Sequence, residues 1–339
     1  MVGKDLIAHP TDILKLAEAV TIVDDWRKTH AVPLDSLVKQ ITKSLSDAQI
    51  PFSFSSQRLK RMTSIIGKLE RNPEMGLGGM QDIGGARFVF DNVDLLLKAK
   101  ETLEANEPEG FTLSKGIYDY VSVPKKSGYR SIHFVYKYHS ADKNLDGLSL
   151  ELQIRTRLQH DWATAVETAE LISKSSLKAS LGDKNWLEFF QLASAIFARK
   201  ENLPVEESLA SKSEMEYCQL YTALNGKHKF YEQLSGMVGA VRISQDTKVS
   251  GGYVVLLIQM DNNSLMYRHF PIEALDYANT LYSQLESQID RNNSAVVMVS
   301  VSDMKELQEA YPSYFLNANE FLLELMEFND RCKLLGYSK

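Results

Sequence analysis

Cysteine is nearly absent from this chain: Cys218 and Cys332 are the only two in 339 residues. Two thiols exclude a disulfide-framework fold and a thiolate metal centre. No stretch comes near the ~20 apolar residues that a membrane-spanning helix needs. The opening "MVGKDLIAHPTDILKL" carries charges where a secretion signal would have its apolar segment. These absences together make the cytoplasm the expected setting. An excess of basic residues is also missing, since 38 Lys and Arg face 44 Asp and Glu for a net charge of −6. That balance speaks against a generic nucleic-acid binder, DNA included, but leaves room for a local basic patch. Internal repeats and low-complexity tails are absent too.

The remaining pattern is that of a mixed α/β protein. "TDILKLAEAVTIVDDWRKTH" and "PLDSLVKQITKSLSDAQI" place apolar residues at helical spacing, and "SSQRLKRMTSIIGKLERN" reads as a third, strongly basic helix. The period then changes. "GGARFVF", "IYDYVSVP", "SIHFVYKY" and "LSLELQIR" are short, rich in β-formers and bounded by turn residues, with the helix-like "NVDLLLKAKETLEAN" after the first. Helical spacing returns in "LQHDWATAVETAELISKS" and "WLEFFQLASAIFARKENL", separated by the polar, loop-like "SKSSLKASLGDKN". Strands reappear in "GYVVLLIQMD", "SLMYRHFP" and "SAVVMVSVS", with a turn at Asn262-Asn263 and a helix in "IEALDYANTLYSQLESQI". The expected organisation is N-terminal helices over 1–55, a first α/β domain over 56–200, a helical linker over 201–235 and a small C-terminal α/β domain over 236–339.

Chemistry concentrates in the first domain. If "LSLELQIRTR" is a strand, Leu148, Leu150, Leu152 and Ile154 face the core while Ser149, Glu151, Gln153 and Arg155 share the other face. Such a row is either a solvated surface or the floor of a site. "RLKRMTSIIGKLER" gathers Arg58, Lys60, Arg61, Lys68 and Arg71, which can also be an ordinary solvated basic face. "QDIGGARFVF" sets Asp82, a hard oxygen ligand suited to Mg²⁺ or a simple turn residue, before Gly-Gly and Arg87. "YVSVPKKSGYRSIH" offers Lys125, Tyr129, Arg130 and His133 for holding phosphate and stacking a base, or forms a basic hairpin. Two carboxylates beside basic residues suit phosphoryl transfer, where positioning and charge stabilisation do most of the work.

In this order the motifs Arg-x-Lys-x-x-x-Ser-Ile-x-x-Lys, Asp-x-x-Gly-x-Arg, Pro-Lys-x-x-Gly-Tyr-Arg-Ser-x-His and Glu-x-Gln-Ile-Arg-Thr resemble the synthetase domain of RelA/SpoT-type enzymes, over roughly residues 50 to 170. The resemblance implies a nucleotidyltransferase-like mixed sheet flanked by helices. It also implies transfer of the β,γ-pyrophosphate of ATP to a ribose hydroxyl. Arg58 and Arg87 would then sandwich adenine, Lys60, Lys68 and Arg71 would hold phosphates, and Asp82 with Glu151 would bind Mg²⁺, Glu151 doubling as general base. Tyr129 would stack on the acceptor base, with Lys125, Arg130, His133, Gln153 and Arg155 on the same side. His133 alone reads equally well as an ordinary strand histidine. About 50 residues precede Arg58, so the hydrolase domain of long family members is expected to be absent. The run "DWATAVETAELISKSSLK" keeps Trp162, Ala163 and Glu167 but lacks the His and Tyr usual in alarmone-making members, so a different acceptor pocket is expected.

The C-terminal "ELQEAYPSYFLNANEFLLELMEF" brackets Pro-Ser with Tyr311 and Tyr314. Tyrosines beside a helix start are commonly packing residues. Together with the catalytic motifs, however, this Tyr-x-x-Tyr resembles the fused toxin–antitoxin branch of the family, the phage-capsid-sensing CapRel type. That resemblance implies a C-terminal domain that blocks the ATP site through Tyr311 and Tyr314, release by a phage capsid protein, and the tRNA acceptor end as target, with arrest of translation. The alternatives are a small alarmone synthetase acting on GDP, GTP or an adenosine nucleotide, and a non-catalytic nucleotide- or RNA-binding sensor.

Overall fold

The computed structural model describes residues 13–114, 116–173, 183–231, 234, 250–259, 264–289, 294–303 and 318–337. Helices α1 (Ile13–Thr29) and α2 (Ala31–Asp47) lead into strand β1 (Phe54–Leu59), helix α3 (Met62–Arg71), β2 (Gly84–Phe90), α4 (Val93–Ala105), β3 (Phe111–Leu113) and β4 (Tyr118–Asp119). Next come β5 (Ile132–Tyr138), β6 (Ser149–Thr156), α5 (Arg157–Ser173) and α6 (Lys184–Lys200). The short α7 (Glu207–Ala210) and then α8 (Glu214–His228) follow. The C-terminal half adds β7 (Ser250–Gln259), β8 (Ser264–Pro271), α9 (Leu275–Gln288), β9 (Ser294–Asp303) and α10 (Asn319–Leu334). The fold is mixed α/β, as the sequence led us to expect.

One sheet runs through the described chain in the order β3-β5-β6-β2-β1-β9-β7-β8, with β4 also on β5. β2 and β6 pair in parallel and every other pair is antiparallel. The strands of the C-terminal half thus continue the sheet beyond β1, through pairing of Gln57 with Ser300. Leu150, Leu152 and Ile154 are fully buried under α2 and α4, whose Leu37, Ile41 and Leu96 pack on the same face. A second cluster joins α5, α6, α8 and α10 around Trp162, Phe189, Phe190 and Phe321. α1 packs on α3 through Val23, Ile65 and Leu69, and α9 covers β7 and β9 through Ala278 and Tyr282.

Two expected elements differ. Residues 55–72 were expected as one basic helix, whereas the first part is strand β1 and only Met62–Arg71 is helical. Met62, Ile65 and Leu69 carry the helical period, while Phe54 and Ser56 are the buried positions of a strand that supplies β2 with its antiparallel partner. The bend between them is held by Lys60 N–H on the Ile83 carbonyl at 2.7 Å. In "IYDYVSVP" only Tyr118–Asp119 is strand. Oδ1 of Asp119 accepts the amides of Val121 and Ser122 at 3.0 and 2.9 Å, and this side-chain turn ends the ladder. The loop expected at "SKSSLKASLGDKN" lies largely outside the described residues, as does the Asn262-Asn263 turn.

The two cysteines, too few in the sequence for a disulfide framework, meet. Cys218 of α8 and Cys332 of α10 form a disulfide across 114 residues, with Cα atoms 5.4 Å apart inside the apolar helical cluster. Closing so long a loop stabilises by about 5 kcal/mol in the chain-entropy account. Thiol titration of the denatured, unreduced protein is therefore expected to find no free thiol, and reductant to lower the melting temperature. Two titratable thiols in the unreduced chain would contradict the pairing.

Candidate active site

The polar row of β6 is a site floor, because register carries it across the neighbouring strands. Arg58 of β1 stands opposite Gly85 of β2, and Gly85 opposite Glu151 of β6. In the next row Ser56 faces Arg87, Arg87 faces Gln153, and Gln153 faces His133 of β5. Apart from His133, these residues, with Lys60, Asp82 and Ala86, line a solvent-open cleft enclosing about 480 Å³ of non-atom space. Gly85 has no side chain where Arg58 and Glu151 would otherwise be screened from each other. A Cβ there would meet no atom closer than the Glu151 carbonyl oxygen at 4.0 Å, so the gap is open space and not packing.

At one end of the cleft Asp82 binds two lysines. Lys60 Nζ lies 2.7 Å from its Oδ2 and Lys68 Nζ 3.0 Å from its Oδ1. Burial alone would raise the Asp82 pKa, but the two ammonium groups outweigh it and hold the carboxyl at about 2. Burial pushes Lys60 the other way, below the usual lysine value; Asp82 opposes the shift, and Lys68 and Arg58 add to it. The arrangement is a basic pair held apart by one carboxylate, suited to receiving phosphate oxygens.

At the other end Glu151 is held by two side chains, one of them braced by a third. His133 Nδ1 lies 2.9 Å from Oε1, and Gln153 Nε2 donates to Oε2 at 2.7 Å. The hydroxyl of Tyr129 lies 2.9 Å from His133 Nε2. An ionised Glu151 only accepts, so Nδ1 donates to it, and the Tyr129 hydroxyl closes the chain at Nε2. Burial opposes ionisation of Glu151, yet the His133 hydrogen bond and charge keep its pKa below the usual glutamate value, with Gln153 adding to them. Both carboxylates are therefore ionised at neutral pH.

The acceptor-side expectations divide. Tyr129 and His133 join the Glu151 chain, and Lys125 Nζ sits 4.2 Å from the Tyr120 ring centroid and 5.3 Å from that of Tyr129. Arg130 does not reach the cleft: its guanidinium is buried and donates to the carbonyls of Val121 and Pro204, which braces the loop on the chain after α6. Arg155 is 2% exposed, and its guanidinium contacts His160 rather than open space. Burial, followed by the charge of Arg87, lowers its pKa to about 9. Arg71 is exposed on the last turn of α3 and does not line the cleft. Tyr311 and Tyr314 lie outside the described residues. Two aromatics that we had not singled out stand beside His133. Tyr118, 38% exposed, stacks on Tyr120 at 6.3 Å, and Tyr120 meets the His133 ring edge-on at 5.4 Å. Their signal was the alternation in "YDY", read only as strand.

Asp82 and Glu151 fit Mg²⁺. They are hard, ionised oxygen donors on one cleft, and Mg²⁺ typically takes one or two carboxylates and completes its shell with water and substrate phosphate. Among the described residues no group of three or more His, Cys, Asp or Glu forms a preassembled all-protein cage.

Residues 57–176 match the family model described as "Region found in RelA / SpoT proteins". This matched stretch, about a third of the chain, is where the chain is similar to that family. It contains the whole cleft apart from Ser56. The GTP pyrophosphokinase YjbM of Bacillus subtilis (strain 168) is 36% identical over 124 residues, which cover 35% of this chain and 56% of that protein. The GTP pyrophosphokinase YwaC of the same strain is 25% identical over 158 residues, 42% of this chain and 74% of that one. The chain thus spans little more than half the length of the first relative. Among solved structures, the small alarmone synthetase 1 from Bacillus subtilis bound to its product pppGpp is 27% identical and covers 52% of this chain and 89% of that one, with a TM-score of 0.43. No helix among the described residues is long and apolar enough to cross a membrane.

The Asp82 ion cluster has a pH signature. Its folded pKa of about 2 lies below the ordinary 3.8, so its stabilisation is complete above about pH 4 and is lost as pH falls through 2. The wild type is expected to exceed Asp82→Asn by about 2 kcal/mol at neutral pH, with the difference closing between about pH 4 and pH 2 in urea unfolding. A difference that stays constant over that range would remove the lysines as its cause.

Proposed function

We propose that the chain is a Mg²⁺-dependent pyrophosphokinase that transfers the β,γ-diphosphate of ATP to a ribose hydroxyl. The observation that carries this reading is the pairing of Lys60 and Lys68 on Asp82 across one cleft from Glu151, within a stretch that matches the RelA/SpoT region. In the reaction the acceptor oxygen forms a bond to the β-phosphorus, the bond from that phosphorus to the oxygen bridging it to the α-phosphate breaks, and AMP leaves. Lys60 and Lys68 give up Asp82 to the incoming phosphates and stabilise the charge that spreads over them. Arg58 and Arg87, on adjacent strands, offer planar guanidinium groups to adenine. Asp82 and Glu151 would hold Mg²⁺, which neutralises phosphate charge when bound.

Glu151 orients the acceptor hydroxyl and takes its proton as the new bond forms. Its lowered pKa makes it a weak base in the ground state, so the hydroxyl gives up its proton only as the oxygen bonds to phosphorus. Tyr129, His133 and Gln153 keep its oxygens aimed. Tyr118, Tyr120 and Lys125 offer aromatic faces and a positive charge to an acceptor base.

For the acceptor we favour the 3′-terminal adenosine of tRNA. The absence of the usual His and Tyr after Trp162 supports a pocket unlike that of alarmone makers. A free guanosine nucleotide is the second reading, favoured by the names of the two relatives. Autoinhibition through Tyr311 and Tyr314, with release by a phage protein, extends the proposal. Its support is the pairing of β9 with the strand that carries Arg58.

The test is transfer of label from γ-³²P-ATP to bulk tRNA, GDP, GTP, AMP or ADP, using wild type, Tyr314→Ala and Glu151→Gln. Label on tRNA, increased in Tyr314→Ala, would support the full proposal, and label on a free nucleotide would move the chain to the second reading. Glu151→Gln is expected to lose at least ~100-fold in transfer, the usual worth of a general base, while still binding ATP. Transfer that survives this substitution would refute the site.

A further inference from the structure

Helix α3, which carries Lys68, begins without a cap of its own. Its N-cap residue is Arg61, in extended conformation and with no side-chain hydrogen bond to the helix amides. A helix start leaves its first amides without intrahelical partners, and a buried one needs an acceptor from elsewhere. Met62 N–H finds one 224 residues away, in Oε1 of Glu286 at 2.9 Å. Glu286 is buried on α9, in the C-terminal half of the chain and outside the RelA/SpoT region. A carboxylate at this place also meets the positive end of the helix dipole.

The contact belongs to a buried polar junction of three helices. Glu286 Oε2 lies 3.8 Å from Nη1 of Arg27 on α1, and the Arg27 guanidinium stacks 4.5 Å from the ring centroid of Tyr282, also on α9. Arg27 pairs in addition with Asp24, which accepts from the Ser283 hydroxyl at 2.8 Å. The same guanidinium donates to the Lys60 carbonyl at 3.4 Å. Tyr282, Ser283 and Glu286 thus seize the chain on both sides of Arg61, at Lys60 O through Arg27 and at Met62 N directly. The segment they hold carries both lysines that pair with Asp82, Lys60 at its start and Lys68 two turns into α3.

We infer that Glu286 is a positioning residue for the phosphate-binding lysines, so that the C-terminal half of this chain completes the cleft of its RelA/SpoT region. The inference rests on the reading of Lys60 and Lys68 as phosphate ligands. Glu286 touches no substrate; it acts through the start of α3. A carboxylate shortened by one methylene keeps its charge near Arg27 but no longer reaches Met62 N–H. A glutamine keeps the reach and an acceptor oxygen but loses the charge. Capping therefore predicts that Glu286→Gln resembles wild type while Glu286→Asp and Glu286→Ala do not. A role in charge balance alone predicts the reverse order for Gln and Asp.

The experiment uses the full chain and its Gln, Asp and Ala variants at Glu286. Hydrogen exchange at the amides of residues 62–65 reads the cap, and titration with Mg²⁺ and a non-hydrolysable ATP analogue reads the lysines. The Asp and Ala variants are expected to exchange these amides faster and to bind the analogue about five- to tenfold more weakly, the scale of a lost cap. The Gln variant should stay within about twofold of wild type on both counts, allowing a few tenths of a kcal/mol for the lost charge. If Glu286→Ala does not fold, the Gln–Asp contrast decides alone. Faster exchange with unchanged analogue binding would overturn the inference, as would Gln and Asp variants equally impaired. Neither readout needs turnover, so a failure of the proposed transfer reaction would be seen separately, as analogue binding without labelled product.

Discussion

The site depends on the register of one parallel ladder, β2 on β6. Side chains alternate along a strand, so a slip of one residue would send Glu151 and Gln153 into the apolar layer under α2 and α4 and turn Leu150 and Leu152 into the cleft. The cost of burying those polar groups against Leu37 and Leu96 holds the register in place. With the ladder fixed, Gly85 necessarily lies between Arg58 and Glu151, and Arg87 beside Gln153. The cleft is the consequence of that alignment on the face the helices leave open.

Electrostatics then divides the cleft into two halves with different surroundings. Around Asp82 a single carboxylate is shared by two ammonium groups, so the basic residues are compensated and held in position. Around Glu151 the neighbours are hydrogen-bonding groups, ordered as Tyr129, His133, carboxylate and Gln153. The first half can exchange its partner for another anion. The second holds its carboxylate in a set direction, which a group acting on a single hydroxyl requires.

Much of this was legible in the sequence, because it lay in local patterns. The alternation of "LSLELQIRTR" revealed both faces of β6, and the Asp-x-x-Gly-x-Arg spacing tied Asp82 to Arg87. What stayed hidden depended on partners far along the chain. Arg58 looked helical because the charges of its segment suit either state, and only pairing with β2 makes it strand. Arg130 and Arg155 read as ligands by type, whereas their guanidinium groups are taken up by Val121, Pro204 and His160, which no spacing reveals. Glu286 sits in an unremarkable amphipathic helix, and its acceptor role appears only where α9 meets the start of α3. Tyr311 and Tyr314 fall outside the described residues and contribute nothing to this comparison.

The bond between Cys218 and Cys332 also sets the covalent topology of the C-terminal half. Strands β7, β8 and β9 and helix α9 all lie between the two cysteines, inside a closed ring of chain. A protease that cuts once within this ring releases nothing, because both pieces stay joined through sulfur. The nicked molecule keeps β9 beside β1 and Glu286 against α3 by non-covalent contacts alone, each piece still tethered at the helical cluster. Within the ring, backbone integrity and covalent attachment are therefore separate properties, and a single cut there severs the covalent link only when the disulfide is also reduced.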